Sequence, residues 1–149
     1  MKKTTLELKS EEYNLEITED TEVNAVFVGR NNDEIKTKIN IIHRKPNITS
    51  RINIKAVVFD KARFDMEGVL IIEKGATGTD TYLKIDCLVI GEEAFARAVP
   101  SLEIKESEVK GGHGATIGYI DPIQMNYIQS HGLNKAYSEK MLVEAFLAF

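Results

Sequence analysis

The sequence has a single cysteine and no long apolar segment. With one cysteine in 149 residues, no disulfide can form within the chain, which excludes a disulfide-stapled secreted scaffold. Apolar runs such as Val69–Ile72 and Cys87–Ile90 are four residues long, whereas a membrane-spanning helix needs about 20. The first twelve residues, MKKTTLELKSEE, contain lysines but no apolar stretch of the kind a signal peptide requires. We therefore expect a cytoplasmic protein with no membrane partner.

The sequence also lacks an excess of positive charge and any recognisable catalytic motif. Its formal net charge is −4, which argues against a nucleic-acid partner because such proteins present a basic face. No Ser-His-Asp, zinc-site or phosphate-loop pattern is present. The glycine-rich segment KGATGTD lacks the Gly-Lys-Ser/Thr ending of a phosphate loop. These absences predict a protein that is not an enzyme and that binds no nucleotide itself.

What the sequence does contain, up to residue 110, is the pattern of short β-strands. Polar and apolar residues alternate in segments such as Ile35–Ile41 and Ile52–Val57, which are rich in β-branched side chains. Turn-forming residues separate these segments, as at Gly29–Asp33. The spacing of the strands is irregular and no internal repeat is visible. A sandwich, a barrel and a solenoid are all compatible with this pattern.

The C-terminal part predicts two short helices. Asp121 is placed to cap the first helix, Pro122 suits its first position, and Gly132 is placed to end it. Asn134 is placed to cap the second helix. The apolar faces are predicted to consist of Ile120, Ile123, Tyr127 and Ile128 in the first helix, and of Met141, Leu142, Ala145, Phe146 and Phe149 in the second. We therefore divide the chain into a β part, residues 1–118, and a helical hairpin, residues 119–149.

Two side chains are candidates for metal chemistry. His113 lies in the segment Lys110–Thr116, which has three glycines and is predicted to turn tightly between a strand and a helix. Its imidazole is either a metal or interface group, or a structural group bonded to the backbone. Cys87 lies on the apolar face of a predicted strand, where a free cysteine is either a small buried hydrophobe or a ligand. His43, at a predicted strand end, is expected to be structural or exposed.

The order of residues in the C-terminal half resembles the SufB/SufD family of iron–sulfur cluster assembly subunits. The resemblance covers about residues 64–149, whereas residues 1–60 carry no family motif that we can place. The matching residues are Pro100, Leu102-Glu103-Ile104, Glu108-Val109-Lys110, His113 to Gly118, Ile120-Asp121, Gln124, Tyr127, Ser130, Gly132 and Glu144-Ala145-Phe146.

The resemblance implies a fold and a set of partners. The implied fold is mainly β: a shortened right-handed parallel β-helix followed by a C-terminal two-helix hairpin that docks on a SufC-type ABC ATPase. The residues expected to contact partners are Tyr127, His131, Gly132, Met141 and Phe146. His113 matches a histidine at the interface with a SufB/SufD-like partner, near the place where a cluster would be assembled. The implied function is that of a non-catalytic subunit for iron–sulfur cluster assembly.

The resemblance also has departures that bear on cluster binding. Gly111 stands where SufD-like chains have a cysteine, and Gly114 stands where SufB-like chains have a glutamate. Clusters normally take four ligands, mostly thiolates, so Cys87 and His113 of one chain are too few. A transient cluster would then share ligands with a partner or with a second copy in a homodimer. The alternative is a degenerate, interaction-only partner of the ATPase or of full-length scaffolds that holds no cluster.

Overall fold

The computed structural model describes residues 1–149 and contains nine β-strands followed by two α-helices. The strands are β1 (Lys2–Glu7), β2 (Glu12–Ile17), β3 (Thr21–Gly29), β4 (Glu34–His43), β5 (Thr49–Phe59), β6 (Arg63–Ile72), β7 (Asp80–Ile90), β8 (Phe95–Ile104) and β9 (Lys110–Tyr119). The helices are α1 (Pro122–Gln129) and α2 (Lys135–Leu147). Neither helix is long and apolar enough to cross a membrane.

The strands form two parallel sheets that the chain visits in alternation. The odd-numbered strands form one sheet in the order β1-β3-β5-β7-β9, and the even-numbered strands form the other in the order β2-β4-β6-β8. Each coil of the chain therefore adds one strand to each sheet. The result is a parallel β-solenoid of about four turns followed by two helices, which confirms the predicted fold class.

The solenoid has a repeat that the sequence does not show. Hydrogen-bonded side chains in successive coils are 29 residues apart at Asn24 and Asn53, and 31 residues apart at Ser50 and Thr81. In the first coils the separation is shorter, 26 residues between Asn14 and Asn40. The irregular spacing of the strands in the sequence gives no sign of this repeat. The repeat is in the pairing register of the strands. Because the turns differ in length, the number of residues per coil varies and no constant spacing appears in the sequence.

The core lies between the two sheets and is built by the alternation of each strand. A single cluster of 20 buried residues fills it. In β5 and β7 the inward-facing residues are Ile52, Ile54, Ala56 and Val58, and Leu83, Ile85, Cys87 and Val89. Burying each large aliphatic side chain contributes roughly 1.5–3 kcal/mol, so this stacked row is the main source of stability.

One polar chain is buried inside this core. His43 is fully buried at the end of β4, and its Nε2 atom is 2.8 Å from the hydroxyl of Ser50 in the facing sheet. The Ser50 hydroxyl is in turn 2.6 Å from that of Thr81 in the next coil. Burial lowers the pKa of His43, and the backbone of Ile71 offsets only part of this effect. The structural role expected for His43 is confirmed, and the exposed alternative is wrong.

The helix caps match the predicted ones. The Asp121 carboxylate accepts a hydrogen bond from the amide of Ile123 at 2.8 Å, and the Asn134 side chain accepts one from the amide of Tyr137 at 2.8 Å. Helix α1 ends at Gln129, and Gly132 adopts a φ of +87° in the connection to α2. A glycine tolerates this left-handed conformation without a steric penalty, so the predicted helix stop is confirmed.

The predicted apolar faces of the helices are only partly correct. Helix α1 buries no residue, and Ile123 and Tyr127 are 77% and 67% exposed. The buried apolar residue of α2 is Val143, whereas Met141 is exposed, and Phe149 lies beyond the end of α2 and is also exposed. The reason is geometric: α1 packs mainly on α2 and does not lie on a sheet, so most of its apolar side chains have no surface to cover them.

Candidate functional site

The last coil of the solenoid leaves two strands with a free edge. Strand β8 pairs only with β6, and β9 pairs only with β7. We call the outer edges and core-facing residues of β8 and β9 the open end. Large apolar residues that are exposed and core-facing there are Ile104, Ile117 and Tyr119, and Phe95 and Val99 are exposed on the outward face of β8. Unpaired backbone groups beside exposed apolar side chains are a template for pairing with another chain.

The glycine-rich segment around His113 belongs to this edge. It was predicted to be a tight turn, but it forms β9, so that prediction is wrong. Two of its three glycines are explained by Tyr82 of the neighbouring strand, whose ring lies across β9. A Cβ atom would meet the Tyr82 side chain at 2.8 Å from Gly112 and at 2.9 Å from Gly114. These glycines therefore provide a close approach for an aromatic ring and not a reversal of the chain.

His113 lies on the inward side of β9 but is not enclosed. It is opposite Leu83, whose side chain belongs to the core, and no further coil covers it. The side chain is exposed, and no hydrogen bond joins its imidazole to another residue of the chain. Both ring nitrogens are consequently free for a proton, a metal ion or a partner chain.

Cys87 has the opposite environment. It lies between Ala56 and Ile117 on the inward face and is 2% exposed. Burial, with a smaller contribution from the charge of Asp86, raises the pKa of its thiol to about 12. The thiolate is the form that attacks and ligates, so Cys87 in this arrangement is unreactive.

The structure does not bring His113 and Cys87 together. Cys87 is opposite Ile117, so the two side chains project from positions four residues apart along neighbouring strands. At about 3.3 Å per residue, the separation along the strands is roughly 13 Å, whereas two ligands of one metal ion lie within about 5 Å of each other because each is about 2.0–2.3 Å from the ion. No group of three or more His, Cys, Asp or Glu side chains is arranged to hold a metal ion. One chain by itself therefore offers no complete metal site.

Of the residues predicted to contact a partner, most lie on an exposed face of the helical hairpin. The rings of Tyr127 and His131 meet edge to face with centroids 4.8 Å apart, and Nδ1 of His131 donates to the carbonyl oxygen of Tyr127 at 2.9 Å. Gly132 and Met141 are also exposed. Phe146 is different: it packs partly buried against a small cluster on the outer face of the odd-numbered sheet. We call the exposed side chains Ile123, Tyr127, His131, Tyr137 and Met141 the hairpin face.

The sequence reasoning missed an acidic residue that ties β9 to its neighbour. This residue is Asp86, which is only 7% exposed. Its carboxylate accepts a hydrogen bond from the Thr116 hydroxyl at 2.6 Å and forms an ion pair with Lys84 at 2.8 Å. The signal in the sequence was the alternation Lys84-x-Asp86, which places both side chains on the outward face of one strand.

Comparison with known proteins identifies the family that has this architecture. The family model described as "SUF system FeS cluster assembly, SufBD core domain" matches residues 6–146. The chain belongs to the SufBD family. The family match begins at residue 6, so residues 6–60, in which we could place no motif, are also part of the family's core domain. This corrects the more limited resemblance deduced from the sequence.

Individual relatives agree with this assignment. The chain is 32% identical to the iron–sulfur cluster assembly protein SufD of Escherichia coli over 126 residues, which is 85% of this chain and 30% of that protein. It is 33% identical to SufD of Bacillus subtilis over 123 residues, which is 83% of this chain and 28% of that protein. A SufBD family protein of Mycobacterium bovis is 28% identical over 84% of this chain and 15% of its own length. The chain thus spans about a third or less of the length of the curated relatives it matches.

Proposed function

We propose that this chain acts in iron–sulfur cluster assembly as a non-catalytic SufB/SufD-like subunit. The observation that carries the proposal is the match of nearly the whole chain, residues 6–146, to the core domain of the family, with relatives named as assembly proteins. The open end and the hairpin face add two surfaces that suit a subunit working in a complex. ATP hydrolysis would belong to a partner, because this chain has no phosphate loop.

The open end is the proposed contact with a SufB/SufD-like partner or with a second copy of this chain. Strands β8 and β9 are each ten residues long and have one unpaired edge. A second solenoid could continue both sheets across this edge and cover the exposed apolar side chains. His113 would then lie at the boundary between the two chains.

A transient cluster is proposed at that boundary as cargo. His113 is the available ligand of this chain, since its imidazole is exposed and unbonded. The remaining ligands would be thiolates from the partner, because a cluster normally needs four ligands. Cys87 would take part only if pairing or opening of β9 removed Ile117 from above its thiol and lowered its pKa.

The hairpin face is the proposed contact with a SufC-type ABC ATPase. Tyr127 and Met141 are 67% and 41% exposed, and aromatic residues and methionine are enriched at protein interfaces. Neighbouring His131 and Gly132 would lie within the same contact. Phe146 would support this face from below, because it packs on the sheet and not toward the surface.

Co-purification with the SufC-type ATPase of the same organism, with and without ATP, tests the docking proposal. We expect a stoichiometric complex that is lost when Tyr127 and Met141 are both changed to alanine. Phe95→Ala is the matched control, since Phe95 is an exposed aromatic residue on β8, outside the hairpin. A folded double variant that still binds the ATPase as the unchanged chain does would refute docking through the hairpin face.

A second candidate function is an interaction-only subunit that holds no cluster. The burial of Cys87, the high pKa of its thiol and the absence of a grouped metal site within the chain favour it. Anaerobic reconstitution with iron and sulfide distinguishes the two functions. For the scaffold function we expect visible charge-transfer absorption that falls in His113→Ala. The absorption should not fall in His131→Ala, which removes an exposed histidine of the hairpin. A complex with its partners that shows no such absorption supports the interaction-only function.

A further inference from the structure

The helical hairpin is attached to the solenoid by few apolar contacts. Helix α1 buries no residue, and the buried residues of α2 are Ser138 and Val143. Val143 belongs to a cluster of four buried residues with Val57, Phe59 and Leu88 on the outer face of the odd-numbered sheet, and Phe146 and Leu147 pack against it partly buried. This cluster is separate from the 20-residue core between the sheets. The hairpin therefore contributes little to that core.

A single side chain of the sheet makes the polar attachment. Lys55 projects from the outward face of β5, and its Nζ atom donates a hydrogen bond to the carbonyl oxygen of Phe146 at 2.8 Å and another to that of Ala148. These are the only hydrogen bonds that join residues 120–149 to the strands. The same ammonium group lies 4.8 Å from the centroid of the Phe149 ring.

The chemistry of this contact suits the end of a helix. The last carbonyl groups of a helix have no amide partner within it and carry a partial negative charge. An ammonium group satisfies these carbonyls and is further stabilised by the face of an aromatic ring. Lys55 has no carboxylate partner of its own, because Asp86, the neighbouring residue in register, is bonded to Lys84 and Thr116. Its charge is thus directed at the end of α2.

We propose that Lys55 is a latch that holds the hairpin on the sheet, and that the hairpin can open as a unit while the solenoid remains folded. The latch follows from the two carbonyl contacts of one lysine, and the independent opening follows from the small, separate apolar cluster beneath α2. The inference does not depend on which protein binds the hairpin face.

Hydrogen exchange of the whole chain, measured for Lys55→Met, tests the latch. Methionine keeps an apolar stem of similar length but removes the charge and all donors. Because hydrogen bonds from a charged donor are stronger than neutral ones, we expect exchange of the α2 amides to rise at least about tenfold. Exchange in β3 to β7 should not change, since their stability comes from the core.

Lys36→Met is the matched control. Lys36 is an exposed lysine on β4, in the other sheet, so its loss changes the net charge equally without touching the hairpin. We expect no change in α2 exchange in this variant. If α2 exchanges equally in Lys55→Met and in the unchanged chain, apolar contacts alone hold the hairpin and the latch is refuted. A parallel rise in α2 and in β3 to β7 also overturns the proposal, because the hairpin would then not open separately.

Discussion

The buried polar chain of His43, Ser50 and Thr81 makes the stability of this protein depend on pH in a defined window. Burial lowers the pKa of His43 in the folded state, so its imidazole stays neutral there. In the unfolded chain the same imidazole titrates near its ordinary pKa of about 6.5. Below that value the unfolded state binds a proton that the folded state does not. Stability is therefore fully present above about pH 6.5 and is lost as the pH falls toward the lowered pKa of the folded state.

The size of this effect follows from the one extra proton. If His43 stays neutral in the folded protein, the free energy of unfolding should fall by about 1.4 kcal/mol between pH 7.5 and pH 5.5. For a domain of this size the loss corresponds to a decrease of about 0.5–1 M in the urea midpoint. Urea unfolding at several pH values between 7.5 and 5.5 measures this decrease. This pH range lies above the one in which most carboxylates titrate.

His43→Gln isolates the contribution of the buried imidazole. The glutamine amide can still reach the Ser50 hydroxyl but cannot titrate, so we expect this variant to be less stable and to lose the pH dependence. His113→Gln removes an exposed histidine and should keep the dependence of the unchanged chain. If His43→Gln shows the same loss between pH 7.5 and pH 5.5 as the unchanged chain, the explanation by His43 is wrong.

Three further predictions test other parts of the structure. Alkylation of Cys87 by iodoacetamide at pH 8 should be far slower in the folded chain than in urea, because burial raises the pKa of its thiol to about 12; equal rates would contradict the burial. Gly112→Val should displace the Tyr82 ring and raise hydrogen exchange along β9. Gly118→Val should have a smaller effect, because a Cβ added at Gly118 has no neighbour within 4 Å. Asn134→Ala should destabilise α2 by about 1 kcal/mol through loss of its cap, seen as faster exchange of α2 alone; unchanged exchange would show that the cap is dispensable.

The strands and helix ends could be predicted because their signals are local. The alternation in Ile52–Val57 identifies a strand with one buried face, and Asp121 and Asn134 identify the starts of two helices. Pairing of the strands into a solenoid depends on contacts about 30 residues apart, which no local pattern contains. That part of the fold came from the family resemblance and not from periodicity.

The candidate site was harder to predict because its residues depend on neighbouring coils. The glycines beside His113 indicated a turn, but their reason is the ring of Tyr82, which lies about 30 positions earlier in the sequence. Cys87 was identified as lying on an apolar face, yet only the structure shows that Ile117 covers it. Lys55 carries no signal at all in the sequence, since its partners are backbone carbonyls at the end of α2.

The stacking of coils also determines the order in which the chain can fold during synthesis. From β3 onward, each strand finds its next parallel partner only after about 30 further residues have been made, which takes about 2–6 seconds at ribosomal rates of about 5–20 residues per second. Until then its edge is exposed in the same way as that of β9. Every earlier edge is covered by the next coil, but after Tyr119 the chain turns into α1 and covers β9 with no further strand. Within residues 1–149, the edge proposed to bind a second chain is therefore the growing face that no later strand covers.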